Sequence, residues 1–136
     1  MKNRSILLAL VLSIGLFATS CDNDSNGGET LVPLAGKWDI TQVGTTTAGT
    51  ETLVDAPQNE PGCSKDYLDL NIDNSLEKGD YIATCVLNTT DGIYSRSHNN
   101  LTTVVGGVTK TQDIVNLTLH ELKLKDASGA IEVYSR

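Results

Sequence analysis

Four side chains between residues 69 and 80 have oxygen atoms at a spacing that could hold a cation. Asp69, Asn71 and Asp73 alternate along the chain, and Asp80 follows eleven positions after Asp69, as in a calcium-binding loop. Such a loop needs glycine at the position after Asp73 and a bidentate glutamate at Asp80. Apolar side chains interleave with these residues, which is typical of a strand with one solvated face: Leu68, Leu70 and Ile72. We therefore predict a strand here and no metal site.

The other groups capable of acid–base or nucleophilic chemistry do not form a catalytic arrangement. His98 and His120 are the only histidines, and neither has a second ligand at metal-binding spacing. Ser97 is adjacent to His98, and neighbours on a strand point to opposite faces, so the two cannot act as nucleophile and base. Carboxyl pairs such as Asp66 and Asp69 lack the aromatic-rich platform that would accompany a glycosidase site. The sequence predicts neither an enzyme nor a cofactor.

One cysteine lies at the end of an N-terminal segment with three parts. Lys2 and Arg4 precede an apolar run over residues 6–17, which is shorter than the roughly 20 residues of a membrane-spanning helix. Small residues at positions 18–20 then lead directly to Cys21. A charged start, a short apolar core and a small-residue cleavage site are typical of a secretory signal.

The motif Phe17-Ala18-Thr19-Ser20-Cys21 resembles the lipobox that the lipoprotein signal peptidase recognises. We therefore expect residues 1–20 to be removed and a lipid to be attached to Cys21, the alternative being an ordinary signal peptide with a chance cysteine. Residues 22–30 contain no apolar side chain, so residues 21–30 are expected to form a lipidated flexible tether. The expected location is the cell envelope, with the lipid in the outer membrane and the protein on its periplasmic or outer face.

The chain that follows the signal is acidic and has the size of one domain. From Cys21 to Arg136, 8 basic residues face 17 acidic ones, which gives a net charge of −9. This balance argues against nucleic acid as a partner and against a basic patch that binds anionic membrane.

Cys63 and Cys85 remain as an even pair in a chain predicted to be exported. Disulfides persist outside the cytoplasm, and neither cysteine has a neighbour at metal-ligand spacing. A Cys63–Cys85 disulfide is expected, with two buried free thiols as the alternative.

Residues 31–136 have the patterns of strands and turns. No stretch of ten or more residues has apolar positions at helical spacing, whereas alternation with a period of two recurs. We predict about eight strands, around Trp38–Gln42, Leu68–Ile72, Tyr81–Leu87, Ile93-Tyr94, Leu101–Val105, Ile114-Val115, Leu122–Leu124 and Ile131–Val133. Turn-forming residues separate them at Asp73-Asn74, Asn88–Gly92, Asn99-Asn100, Gly106-Gly107 and Asp126–Gly129. The pattern predicts an all-β barrel or sandwich.

Several of these segments resemble one family. The segment Leu34-Ala35-Gly36-Lys37-Trp38-Asp39-Ile40 resembles the Gly-x-Trp first strand of lipocalin-like (calycin) barrels. Further matches to the lipocalin-like domains of Bacteroidetes lipoproteins lie at Cys63–Tyr67, Gly92-Ile93-Tyr94, Asn99-Asn100-Leu101, Ile114-x-x-Leu117, Leu122-x-Leu124 and Tyr134-Ser135-Arg136. The chain departs from the family pattern at Leu70, Asp73-Asn74 and Tyr94, where the family has an aromatic residue, an Asp-Gly turn and a tryptophan.

The resemblance implies a small up-and-down antiparallel β-barrel that is open at one end to small apolar molecules. It also implies that Trp38 lies at the closed end, covered by Arg136 from the last strand. The side chains expected to line a ligand cavity are Ile40, Leu68, Leu70 and Ile72. We interpret the protein as a non-enzymatic binder of a small apolar or amphipathic ligand, the alternative being a filled barrel whose loops contact another envelope protein.

Overall fold

The computed structural model describes residues 32–136, which form nine β-strands and a single 3₁₀ turn. The strands are β1 (Gly36–Thr47), β2 (Thr50–Asp55), β3 (Tyr67–Leu70), β4 (Ser75–Ile82), β5 (Val86–Ser97), β6 (Asn100–Val105), β7 (Val108–Leu117), β8 (Glu121–Lys125) and β9 (Ala130–Ser135), and the turn is Ala83–Cys85. The predicted signal peptide, the lipid site at Cys21 and the tether lie outside the described residues.

Eight of the strands close into an antiparallel barrel. From β3 to β9 each strand pairs with the next, and β1 pairs with both β3 and β9. Strand β2 continues the sheet beside the second half of β1, from Gln42↔Asp55 to Thr47↔Thr50. The predicted all-β barrel is confirmed. Closure pairs the strands that would otherwise form the two edges of the sheet and be open to association.

The apolar core fills the part of the barrel that contains Trp38. Alternate residues of each strand face inward, and the register aligns these apolar positions on neighbouring strands, as in Trp38↔Leu68 and Leu70↔Leu76. The inward side chains that are almost completely buried are Trp38, Leu70, Leu76, Leu101, Leu122 and Leu124. Each buried leucine contributes about 1.5–3 kcal/mol relative to an exposed one, so this layer is the main source of stability.

Trp38 and Arg136 close one end of the barrel. The Trp38 ring is fully buried, and its Nε1 donates a hydrogen bond to the carbonyl of Leu34 at 2.7 Å. The guanidinium carbon of Arg136 lies 4.0 Å from the centroid of that ring. Arg136 also donates to the carbonyls of Leu119, Ala35 and Pro33 at 3.0, 2.8 and 3.1 Å. Arg136, which follows β9, thus connects the residues that precede β1 to the β7–β8 turn. Its position over Trp38 is the one that the family resemblance implies.

The β4–β5 region differs from the sequence-based prediction in two ways. Residues 81–87 are not one strand, because the Ala83–Cys85 turn interrupts them, with Thr84 and Cys85 at φ values of 65° and 59°. No Gly, Asn or Pro marks this turn, so residue type does not reveal it. The predicted turn at Asn88–Gly92 is wrong, since these residues lie inside β5. There β5 pairs with β4 and is solvent-exposed, so polar side chains are compatible with a strand.

Candidate functional site

A cavity opens at the end of the barrel opposite Trp38. Its main part has a volume of about 350 Å³ and adjoins a second part of about 270 Å³. Five residues line both parts, which makes them one continuous cup: Leu68, Lys78, Lys110, Glu132 and Tyr134. The volume lies within the range of small-molecule sites, which begins near 300 Å³.

The strand register places polar side chains on the inward face above the core. On β4, Lys78 and Asp80 follow Leu76 at intervals of two residues, so they share its inward direction. On β7, Lys110 and Gln112 precede the buried Ile114 at the same interval. The interior of the barrel therefore changes from apolar at the floor to charged in the cup.

Glu132 is the centre of one wall of the cup. Its carboxylate accepts hydrogen bonds from Lys110 Nζ at 2.7 Å, Gln112 Nε2 at 2.9 Å and the Tyr134 hydroxyl at 3.2 Å. Burial raises the pKa of Tyr134 well above its usual value, and the negative charges of Glu132 and Asp80 raise this pKa further. Tyr134 consequently remains a neutral hydrogen-bond donor at physiological pH.

The opposite wall contains two further carboxylates. Lys78 Nζ contacts both oxygens of Asp80, at 2.7 and 2.9 Å. Asp66 is only 7% exposed, and its Oδ1 accepts the backbone N–H of Tyr81 at 2.7 Å. The Asp66 backbone is held on both sides, since its carbonyl accepts from Ile40 N at 2.9 Å and its N–H donates to Asn59 Oδ1 at 3.0 Å.

The segment between β2 and β3 lies beside the cup and is fastened to its rim. Gln58 contributes to the cup lining, and Asn59 Nδ2 donates to the carbonyl of Ile40 at 2.8 Å. Further along, Cys63 is disulfide-bonded to Cys85 in the β4–β5 turn, with the two α-carbons 5.2 Å apart. The predicted disulfide is confirmed, and it joins the long loop to the β4–β5 hairpin.

The predicted cavity residues divide into two groups. Ile40 and Leu68 line the cup. Leu70 does not line it, because it is 1% exposed and packed in the core below. Ile72 is predicted to face inward, but it is 93% exposed because β3 ends at Leu70 and a turn follows. The carboxylate of Asp73 holds that turn by accepting the Ser75 N–H at 2.9 Å, so the alternation predicted for this strand ends two residues early.

The charged lining of the cup is not apparent from the sequence. Lys78 and Asp80 alternate with other polar residues, and so do Lys110 and Gln112, which is the usual pattern of solvated strands. One feature of the sequence could have revealed it. Each pair lies two residues from an apolar side chain that is buried on the same strand, so the period of two places both pairs on the inward face.

The two histidines lie far from this chemistry. His98 occupies the β5–β6 turn and His120 the β7–β8 turn, and both are exposed. Within residues 32–136 no group of three metal-type side chains is assembled. The same residues include no helix with the length and hydropathy to cross a bilayer.

Comparison with known proteins gives structural neighbours only. No protein-family model matches the chain, and no curated protein matches it in sequence. A lipocalin-like protein from Bacteroides uniformis matches with a TM-score of 0.58 and 18% identity, over 76% of this chain and 97% of that structure. An uncharacterized protein from Bacteroides eggerthii also matches at a TM-score of 0.58, with 11% identity over 76% of this chain and 99% of its own. Residues 32–136 therefore have the fold of a lipocalin-like β-barrel.

Proposed function

We propose that this protein is a non-enzymatic binding protein whose barrel takes up a small amphipathic molecule in the cup. The observation that carries the proposal is the cup itself, about 350 Å³ with apolar and hydrogen-bonding side chains on one surface. A site of this composition can cover an apolar body with Ile40 and Leu68 and orient a polar head with charged groups. Of the apolar and amphipathic ligands that the sequence suggests, the cup favours the amphipathic ones, because a wholly apolar molecule would remove water from the charged groups of Lys78, Lys110 and Glu132 without offering them a polar contact.

Leu68→Trp should weaken ligand binding strongly while leaving the barrel folded. Leu68 lines both parts of the cup, so an indole at this position fills the space that a ligand would occupy. The probe is the neutral fluorophore N-phenyl-1-naphthylamine, titrated into the protein and followed by fluorescence enhancement. We expect saturable binding to the wild-type protein and at least about tenfold weaker binding to the variant.

Ile93→Trp is the matched control. Ile93 lies on the outer surface of β5 and is 60% exposed, so the same indole is added away from the cup. Equal enhancement in all three proteins would place the probe outside the cup and contradict the proposal. Absence of binding to the wild-type protein, with circular dichroism showing a folded barrel, would also contradict it.

We further propose that the protein is anchored in the cell envelope through a lipid on Cys21, with the outer membrane as its location. The support is the motif Phe17–Cys21 behind a short apolar segment, followed by a polar tether. Cells that express the protein and are fed an alkyne-labelled fatty acid should yield labelled protein in the membrane fraction. Cys21→Ala should remove the label, and label retained by that variant would show that the lipid is attached elsewhere.

An interaction module is the second candidate function, and one observation favours it. The β4–β5 hairpin presents apolar side chains to solvent, with Ile82, Val86 and Leu87 exposed by 45%, 51% and 40%. Residues 86–91 pair with β4 alone, because β6 pairs with β5 only from Gly92 onward. An apolar tip with a free strand edge is suited to contact with another protein.

A further inference from the structure

Asp66 is a buried carboxylate that lines the cup and has no cationic partner among the described residues. We propose that Asp66 binds the protonated amine of an amphipathic ligand, so that the cup selects a small molecule with an apolar body and an ammonium head. This inference rests on the proposed binding function and specifies the ligand class for that same site.

The contacts of Asp66 leave its charge uncompensated. The one hydrogen bond that its side chain makes within residues 32–136 is accepted from the neutral backbone N–H of Tyr81. The ion pairs in this part of the chain are Lys78–Asp80, Lys110–Glu132 and Lys123–Glu51, and none includes Asp66. Burial of a carboxylate without a counter-ion is costly, so a ligand that supplies the positive charge binds with a large electrostatic gain.

The other two carboxylates of the cup are already paired with cationic groups, so Asp66 is the one that remains for a cationic ligand. Lys78 contacts both oxygens of Asp80, and Glu132 already has three donors around it. The lining thus contains three carboxylates against two ammonium groups, a balance of −1. A cationic head brings this balance to zero, whereas an anionic head would add a fourth negative charge in a partly desolvated space.

The apolar lining lies next to Asp66. Ile40 donates its backbone N–H to the Asp66 carbonyl at 2.9 Å, which places the two residues side by side on adjacent segments. Leu68 follows Asp66 by two residues, and both line the cup. A ligand whose ammonium group reaches Asp66 therefore lays its hydrocarbon part over Ile40 and Leu68.

The test compares three probes that share one tail and differ in the head: octylamine, octanol and octanoate. They are titrated calorimetrically at neutral pH into residues 21–136 with Cys21→Ser, the chain expected once the predicted signal peptide is removed. Protonated octylamine should bind at least about tenfold more tightly than octanol, since a hydrogen bond between charged groups contributes more than one between neutral groups. Octanoate should bind more weakly than octanol.

Asp66→Asn keeps an oxygen for the Tyr81 N–H and removes the charge. It should bring octylamine to within about twofold of octanol. Asp69→Asn is the matched control, because it removes the same charge from the outer face of β3, the strand that follows Asp66, and should preserve the preference for the amine.

The possible results distinguish failure of this inference from failure of the proposed binding function. If octanol or octanoate binds the wild-type protein as tightly as octylamine, or if the preference persists in Asp66→Asn, the inference is wrong although the cup still binds ligands. If no probe binds, the naphthylamine included, both proposals are wrong. The ranking of the three probes on the wild-type protein tests the inference by itself, so the test holds even where the Asn variant is unstable.

Discussion

Replacing Trp38 with alanine is expected to lower the free energy of unfolding by about 3–5 kcal/mol, a large part of the stability of a small domain. The indole is fully buried, so its removal leaves a large cavity between β1 and the neighbouring core leucines. It also leaves the carbonyl of Leu34 without its donor and the guanidinium of Arg136 without the ring it covers. The measurement is chemical denaturation followed by circular dichroism, with the midpoint and slope compared to those of the wild-type protein.

Two further variants separate packing from the cation–π contact. Arg136→Met removes the positive charge and the three hydrogen bonds to the carbonyls of Pro33, Ala35 and Leu119 while keeping an apolar chain over the ring. It should cost roughly 1–3 kcal/mol, less than Trp38→Ala. Ile93→Ala, at an exposed position, should change stability by less than about 0.5 kcal/mol. A Trp38→Ala variant that loses less than about 1 kcal/mol would show that this end of the barrel does not depend on the indole.

The parts of the fold that the sequence predicts are those in which one face of a strand is buried and the other is not. Trp38 and Ile40 in β1, and Leu122 and Leu124 in β8, alternate with polar residues, and all four face the core. Burial on one face alone produces this alternation, so the pattern is visible without coordinates.

Where neither face is buried, the sequence has little predictive value. Strand β2 (Thr50–Asp55) is largely exposed and carries no strand pattern, and the residue types in the first half of β5 are those of a turn. Both segments are strands because their backbones pair with a neighbour, β1 in one case and β4 in the other. Backbone pairing leaves no signature in residue type, since polar and apolar side chains both tolerate a solvated strand.

The candidate site is largely hidden in the sequence for a related reason. Lys78, Asp80 and Lys110 point into the barrel, yet charged residues on strands usually lie on the solvent face. Near the end of the barrel opposite Trp38, inward-facing side chains line a water-accessible cup. This cup exists only because the sheet closes, so strand patterns alone do not reveal it. Ile40 and Leu68 are predictable because they are apolar and continue the phase of the core, whereas the sequence presents Asp66 only as one carboxylate of a pair.

Removing the disulfide by Cys63→Ser together with Cys85→Ser should lower the free energy of unfolding by about 3 kcal/mol. The bridge closes a loop over a sequence separation of 22 residues, and the chain-entropy relation for a loop of this length gives that magnitude. Much of the loss should appear beside the cup, because the bridge fastens the loop between β2 and β3 to the β4–β5 turn. Amide hydrogen exchange should therefore accelerate in residues 57–65 and 83–87, and remain slow around Trp38.

Hydrogen bonds at the two ends of the β2–β3 loop limit the local unfolding that follows loss of the disulfide. Ala56 N donates to the carbonyl of Thr41 at 3.0 Å, and Asp66 is held by Ile40 and Asn59, so both ends stay attached to the barrel when the bridge is absent. The middle of the loop then becomes mobile, whereas the strands that form the walls of the cup stay in place. Binding of N-phenyl-1-naphthylamine should therefore be retained, with faster dissociation. Reductant should convert the wild-type protein to the behaviour of the double variant and leave the double variant unaffected. If the double variant unfolds at the same denaturant concentration as the oxidised wild-type protein and its loop amides exchange no faster, the bridge neither stabilises the barrel nor restrains the rim of the cup.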